Sequence, residues 1–195
     1  MLKHRNIVFL CSSLFILLYL LNANAYFFWL LFLFWLGLTT WGVFDIRLGY
    51  FVKTYSSLAT KEKKIAITFD DGPHEMTPKI LDVLQKYNCK ASFFCIGNQV
   101  DSFPEVLKRI ASEEHIIGNH SNSHSNFFGF FSTGKVLQEL NLTNQKIEKL
   151  TDKKVKLFRP PFGVTNPSIA KASKQLNFNV IGWNIRSLDT IIDSD

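Results

Sequence analysis

The segment Thr68-Phe69-Asp70-Asp71-Gly72-Pro73 sets two carboxylates side by side. Adjacent like charges repel unless a proton or a cation relieves them, which makes the pair a candidate for acid–base or metal chemistry. The same letters also describe a plain Asp-Gly turn at a strand end. Further on, His120-Ser121-Asn122-Ser123-His124 spaces two imidazoles four residues apart. On a helical turn that spacing brings both rings to one side, where they can share a metal ion. With Asp71 they would form a two-histidine, one-carboxylate set with open positions for water and substrate. Such a set suits zinc-assisted hydrolysis, and the same ligands hold other divalent ions. His4 and His115 lack this company and read as part of a basic terminus and as a strand residue.

Two more clusters follow. In Arg159-Pro160-Pro161-Phe162-Gly163 the prolines restrict the backbone, so an arginine and a backbone N–H would be presented at fixed positions. A surface arginine on an ordinary strand-to-helix loop is the competing account. Trp183-Asn184-Ile185-Arg186-Ser187-Leu188-Asp189 adds an indole and another carboxylate. Core packing explains Trp183 as readily as a binding role does.

Elements that could position these clusters alternate along the chain. Strands are expected over Lys64–Asp70, Ala91–Ile96, His115–Gly118, Val155–Phe158 and Phe178–Trp183. Between them, helices are expected from Thr77 to about Tyr87, over Phe103–Ser112, Thr133–Leu150 and Pro167–Leu176. Thr77 reads as an N-cap before Pro78 in the first turn. Alternating strands and helices indicate an α/β fold with a parallel sheet or barrel. Each polar cluster then follows a strand, where such folds build their active sites, with Asp71 and the histidine pair on adjacent strand ends. Consecutive strand residues face opposite sides, so the Gly72-Pro73 turn must help bring Asp70 and Asp71 into one site.

Before Lys53 the composition changes. Residues 7–44 carry almost no charge, with only Asn22 and Asn24 as a polar break. A bilayer-crossing helix needs about 20 apolar residues. The stretch predicts a transmembrane hairpin, with helices at about 7–22 and 26–44, inside a membrane anchor spanning 1–48. A linker over 49–62 and a catalytic domain over 63–195 complete the expected organisation. Cleavage at Ala23-Asn24-Ala25, as in a signal peptide, would leave the still more apolar second run in place. Membrane lipid is therefore an expected partner. Basic residues flank both ends of the run, so the side on which the domain lies is left open. The net charge of +6 is mostly lysine and fits either a solvated surface or an anionic partner. No nucleic-acid motif is present, and nucleic acid is not an expected partner. Cys11, Cys89 and Cys95 form neither a disulfide framework nor a Cys-x-x-Cys pair.

Taken together, TFDDGP, HSNSH and RPPFG resemble, in order and almost letter for letter, three motifs of the polysaccharide deacetylase family, also called the NodB-homology domain or carbohydrate esterase family four. WNIRSLD resembles a fourth. The resemblance runs from about Lys63 to the C-terminus. It implies a distorted (β/α) barrel that removes acetyl groups from N-acetylated, or in some members O-acetylated, sugars of a polysaccharide. It further implies one divalent ion, preferably zinc, held by Asp71, His120 and His124. Asp70 would be the general base toward the attacking water, oriented by Arg159. The N–H of Phe162 would face the oxyanion, and Trp183 would line the sugar groove. The sequence departs from the pattern where Thr190 follows Asp189 in place of a tryptophan. The family's last motif, Leu-x-His, whose histidine is the general acid tuned by the residue matching Asp189, is not found between Asp189 and Asp195. Five strands are too few to close a barrel, so an incomplete one is expected. A carbohydrate-binding pseudoenzyme and an amidohydrolase acting on small cyclic amides are the rival readings.

Overall fold

The N-terminal run folds as two antiparallel helices, α1 (His4–Leu20) and α2 (Ala25–Phe44), in a computed structural model that describes residues 3–186. Asn24 ends the polar break by capping α2; its side-chain oxygen accepts the Tyr26 N–H at 3.0 Å. At the open end of the hairpin the His4 N–H donates to the Tyr50 carbonyl at 2.9 Å. The start of α1 and the exit of α2 therefore lie at the same end. Ile7, Cys11 and Tyr50 form a small buried seam with Leu31, Trp35 and Leu38. Most of the remaining apolar surface is exposed, including Phe9, Tyr19, Trp29 and Phe44.

The remainder is an α/β unit on a six-stranded, all-parallel sheet. Its strands are β1 (Thr54–Tyr55), β2 (Thr68–Gly72), β3 (Ser92–Cys95), β4 (Ile116–Asn119), β5 (Leu157–Phe158) and β6 (Asn179–Ile181). They lie in the order β1-β6-β5-β4-β3-β2. Thr54 and Tyr55 fall within residues 49–62, expected as a linker; they instead pair with Val180 and Ile181 as the edge strand. Two residues are too few to show an alternating pattern, so this sixth strand was invisible in the sequence.

Successive strands from β2 to β6 step in one direction across the sheet. Right-handed crossovers then place the connecting helices on one face. These are α3 (Thr77–Lys86), a short α4 (Gly97–Ser102), α5 (Pro104–Ser112), α6 (Thr133–Thr151) and α7 (Pro167–Gln175). Leu81 and Leu84 of α3, Leu107 and Ile110 of α5, Val136, Leu140 and Ile147 of α6, and Ile169 and Ala172 of α7 are buried against Phe93, Phe158 and Val180 of the sheet. Asn166 caps α7, accepting the Ile169 N–H at 2.8 Å, and Ser132 caps α6. Thr77 does not cap α3: it is the first helical residue, and its hydroxyl accepts the His74 N–H at 2.9 Å. A threonine just before Pro78 fits either role, and the His74 N–H takes the hydroxyl.

The sheet is curved. Strands lie about 4.8 Å apart, so a flat sheet would separate β2 from β5 by about 14 Å, beyond the joint reach of an arginine and a threonine side chain. Yet Arg159, just after β5, donates to the Thr68 hydroxyl of β2 at 2.8 Å. On the concave side Phe94 lies under the Arg159 guanidinium, 4.1 Å from the ring centre. Gly118 on the neighbouring strand makes room for that ring: a Cβ there would stand 2.5 Å from Phe94.

Candidate active site

The C-terminal ends of β2, β4, β5 and β6 form one rim, and the residues singled out by sequence meet there. Asp71 and the histidine pair are not on adjacent strands, since β3 stands between β2 and β4. Curvature rather than adjacency brings them together.

A bulge solves the problem of two neighbouring carboxylates. Phe69 pairs with Phe93 and Gly72 with Cys95, so β2 holds one residue more than β3 over this span. Asp71 takes the extra step with a left-handed backbone, φ 65°. Alternation is broken, and both carboxylates reach the rim. Asp70 turns to Arg159, whose Nη1 donates to its Oδ1 at 2.7 Å. Asp71 turns to the histidines, with His120 Nε2 at 3.4 Å and His124 Nε2 at 3.3 Å from its Oδ1.

The segment from His120 to His124 is wired on every side. The His120 N–H donates to the Cys95 carbonyl at 2.9 Å, tying the segment to β3. The Ser121 N–H donates to Asn119 Oδ1 at 2.8 Å, and the His124 N–H to the Ser121 hydroxyl at 3.1 Å. Glu139 of α6, 4% exposed, uses one carboxylate oxygen to accept the Asn122 N–H, the Ser123 N–H and the Ser123 hydroxyl at 3.1, 2.8 and 2.9 Å. Sequence reasoning passed over Glu139. Its signal was a carboxylate on the apolar stripe of a helix, between Val136 and Leu140, where a charge is costly unless it is hydrogen-bonded.

The chemistry of this group fits a metal ion. His120 Nδ1 lies 2.7 Å from the Arg159 carbonyl, which can only accept, so the ring's proton sits on Nδ1. Nε2 of the neutral ring is then a lone pair aimed at a carboxylate oxygen. The ligand atoms of Asp71, His120 and His124 lie within 4.8 Å of one another. Three electron-pair donors facing one another repel unless a cation stands among them. Where a proton rather than an ion stands between them, the hydrogen bond from His120 holds the Asp71 carboxyl below its ordinary value, against the opposing effect of burial. Burial, and then His120, lowers His124 below the ordinary imidazole value. Both shifts favour the forms that ligate. Among the described residues this is the one such cluster.

Arg159 is the hub of the rim. Besides Asp70 and Thr68 it reaches the Ile181 carbonyl through Nε at 3.3 Å and the Gly182 carbonyl through Nη2 at 3.0 Å. Burial pushes its pKa below the ordinary value while Asp70 pulls it back up. Phe162 has φ 57° and is half exposed, and its ring meets that of His124 edge-on at 4.8 Å between centroids. Trp183 lies across Gly163, where a Cβ would stand 2.5 Å from the indole, and 5.5 Å from the Arg159 guanidinium. It covers the arginine and the loop that follows β5. Asp189 lies outside the described residues. His115 stands at the opposite end of the sheet, where its Nδ1 accepts the Ala91 N–H at 3.2 Å.

Comparison with known proteins places this arrangement in a family. The family model described as "Polysaccharide deacetylase" matches residues 57–181. A peptidoglycan-N-acetylglucosamine deacetylase of Bacillus cereus is 38% identical over 127 residues, which are 65% of this chain and 46% of that protein. The peptidoglycan-N-acetylmuramic acid deacetylase PdaA of Bacillus subtilis is 37% identical over 137 residues, 69% of this chain and 52% of that one. The chain thus spans about half the length of these curated relatives. The solved structure of B. subtilis PdaA, a family 4 carbohydrate esterase, superposes with a TM-score of 0.65 at 35% identity, covering 72% of this chain and 60% of that one. A CE4 family pseudoenzyme from Bacillus anthracis superposes at 0.62 with 30% identity, covering 67% and 46%. A six-stranded parallel sheet of the same architecture, an Asp-His-His cluster at its rim and a family model matching well over half of the sequence agree: this chain belongs to the polysaccharide deacetylase family.

Proposed function

We propose that the protein is a metal-dependent deacetylase of N-acetylated sugars in a peptidoglycan-type polymer, built on the distorted barrel of its family and held to a membrane by α1 and α2. The observation that carries this reading is the pairing of two neighbouring carboxylates with different partners. Asp70 is fixed by a buried arginine at 2.7 Å, while Asp71 faces two imidazole lone pairs. One carboxylate is thereby kept free of the ligand set and available as a base.

Asp71, His120 and His124 would hold a divalent ion, with zinc the first choice for this donor set, and the ion would supply Lewis-acid polarisation of the acetyl carbonyl. Asp70 takes a proton from the attacking water. Arg159 acts through Asp70 by fixing its orientation and balancing its charge. The Phe162 N–H, on a proline-stiffened loop beside His124, donates to the oxygen on which negative charge develops. Trp183 walls the sugar groove, and Asp189 belongs to the same catalytic group by resemblance. The B. cereus and B. subtilis relatives, named as peptidoglycan deacetylases, support a wall amino sugar as the substrate.

Membrane attachment is supported by the state of α2. A soluble core helix of this composition would be covered, but only 6% of its apolar window is buried. Its 20 residues span about 30 Å, the thickness of a hydrocarbon core.

Acetate release from N-acetylated glycan by zinc-loaded protein, set against Asp70→Asn, tests the function. Asp70→Asn should keep its metal and lose roughly 10²–10⁴-fold in turnover. Loss of metal in that variant would make Asp70 a ligand. Metal-loaded wild type that retains glycan without releasing acetate would establish the pseudoenzyme instead.

A further inference from the structure

We infer that the catalytic rim is seated on the membrane surface, with the loop 126–131 in contact with the lipid headgroup layer. The inference rests on reading α1 and α2 as membrane helices and adds where the domain stands on them.

If α2 fills the hydrocarbon core, Gly42, Val43 and Phe44 in its last turn lie at the lipid–water boundary. That turn is not followed by a free tether. Thr165, 1% exposed, donates its N–H to the Val43 carbonyl at 3.0 Å and its hydroxyl to the Gly42 carbonyl at 3.3 Å. Ile46 packs against Gly182, where a Cβ would meet it at 3.1 Å, and its carbonyl accepts the Thr54 hydroxyl at 2.6 Å. Thr165 and Gly182 both follow the C-terminal ends of their strands, β5 and β6. The membrane helix is thus fastened to the rim that carries the site.

The loop between β4 and α6 is drawn to the same place. The side-chain amide of Asn166, next to Thr165, donates to the Gly129 carbonyl at 2.6 Å. Residues 126–131 read Asn-Phe-Phe-Gly-Phe-Phe, and two of the four rings have no cover: Phe127 is 68% and Phe130 87% exposed. Phe44, at the end of α2, is likewise exposed. Through Asn166 and Thr165 the loop that carries these rings is tied to the last turn of α2. Aromatic side chains favour the membrane interface, and lipid is the occupant that α2 itself requires. The site lies close to this contact. Phe162, whose ring rests on His124, is three residues from Thr165, at most about 11 Å of extended chain. An acetamido sugar at the membrane face is therefore within reach of the rim.

The test uses the full chain in vesicles of phosphatidylcholine and phosphatidylglycerol, with Cys11→Ala and Cys89→Ser removing competing thiols. An environment-sensitive fluorophore is attached at Phe130→Cys, at Phe127→Cys, or at Lys154→Cys on the opposite end of the sheet. Lipid spin-labelled near its headgroup should cause a loss of emission at Phe130→Cys and Phe127→Cys and none at Lys154→Cys. Unchanged emission at both loop positions, in protein that withstands carbonate extraction, overturns the inference and leaves the anchor standing. Release of the chain by carbonate overturns the anchor and the inference together.

Discussion

Arg159→Met is the substitution that most directly tests whether the rim depends on one guanidinium. The side chain is 2% exposed and serves four acceptors on two strands or their exits, Thr68 and Asp70 of β2 and Ile181 and Gly182 at the end of β6. Methionine keeps much of the apolar contact with Phe94 but provides no donor. Removing one partner of a buried ion pair costs about 3–5 kcal/mol, because the other charge is left without compensation. Here 32% of the Asp70 side chain remains open to water, which takes up part of that charge. The lower end of the range, about 3 kcal/mol, is the expected loss. For a domain of this size that corresponds to a melting temperature lower by roughly 10 °C. The assay is thermal unfolding of the detergent-solubilised chain, run as a cycle with Asp70→Asn and the double variant. Asp70→Asn alone leaves the guanidinium its other acceptors and should cost about 1–2 kcal/mol. The double variant should recover part of the summed loss, giving a coupling of about 1–3 kcal/mol. Arg159→Lys should melt between the two, since a point donor cannot serve four acceptors spread over a fork. Arg159→Met melting within about 2 °C of wild type, with additive behaviour in the cycle, would refute the account.

Three further outcomes follow from the same geometry. His124→Ala should lose most of its bound zinc by elemental analysis, since a three-ligand set is reduced to two, and full stoichiometry would remove His124 from the site. Glu139→Ala leaves the Asn122 and Ser123 N–H groups without their buried acceptor and should weaken zinc binding by about 10–100-fold in a competition titration, although Glu139 touches no ligand atom; unchanged affinity would show that the loop holds its shape without it. Burial pushes the Cys95 thiol up to about 12, whereas Cys89 is exposed, so a maleimide should modify Cys89 in the native domain and Cys95 only after unfolding.

Apart from the short α4, which was not expected from the sequence, the helices were legible from an apolar face or from apolar length, and four of the six strands from short apolar runs. In α6, Val136, Leu140 and Ile147 are all fully buried. The strand before the carboxylates was legible only in part: it begins at Thr68, not Lys64, and Ile65 is exposed. Its apolar letters promised a burial that the chain does not make there. β1 was not legible at all, since an edge strand of two residues has no period to read. At the site, residue types and spacing singled out the three residues that the structure brings together, Asp71, His120 and His124, but not how they meet. Asp71 joins His120 across an intervening strand through curvature and a bulge, and neither feature leaves a pattern in the local sequence. Glu139 was missed for the opposite reason: on a helix one charged letter among apolar ones reads as a surface position until the neighbouring turn shows that it faces inward.

The backbone at the rim shows why so many hydrogen bonds converge on so few residues. Asp71, Ser121, His124 and Phe162 have φ values of 65°, 67°, 46° and 57°. A left-handed conformation costs an L-residue about 1–2 kcal/mol. Four of them in one site amount to several kcal/mol, a large part of the net stability of a typical domain. Such strain persists only where the surroundings over-determine it. Asn119, fully buried at the end of β4, shows how that is done. Its Oδ1 accepts the Ser121 N–H, while its Nδ2 donates to the Leu140 carbonyl at 2.9 Å and to Asn144 Oδ1 at 2.8 Å. The bend at Ser121 is thereby fixed to the buried face of α6, the same helix from which Glu139 holds Asn122 and Ser123. Helix α6 thus constrains the histidine segment through Asn119 and through Glu139, with a further contact from Lys146 Nζ to Asn122 Oδ1 at 2.7 Å. Removing the Asn119 or the Glu139 contact relaxes a strained turn as well as breaking a bond, so the placing of His120 and His124 depends on α6 as much as on the strand that precedes them.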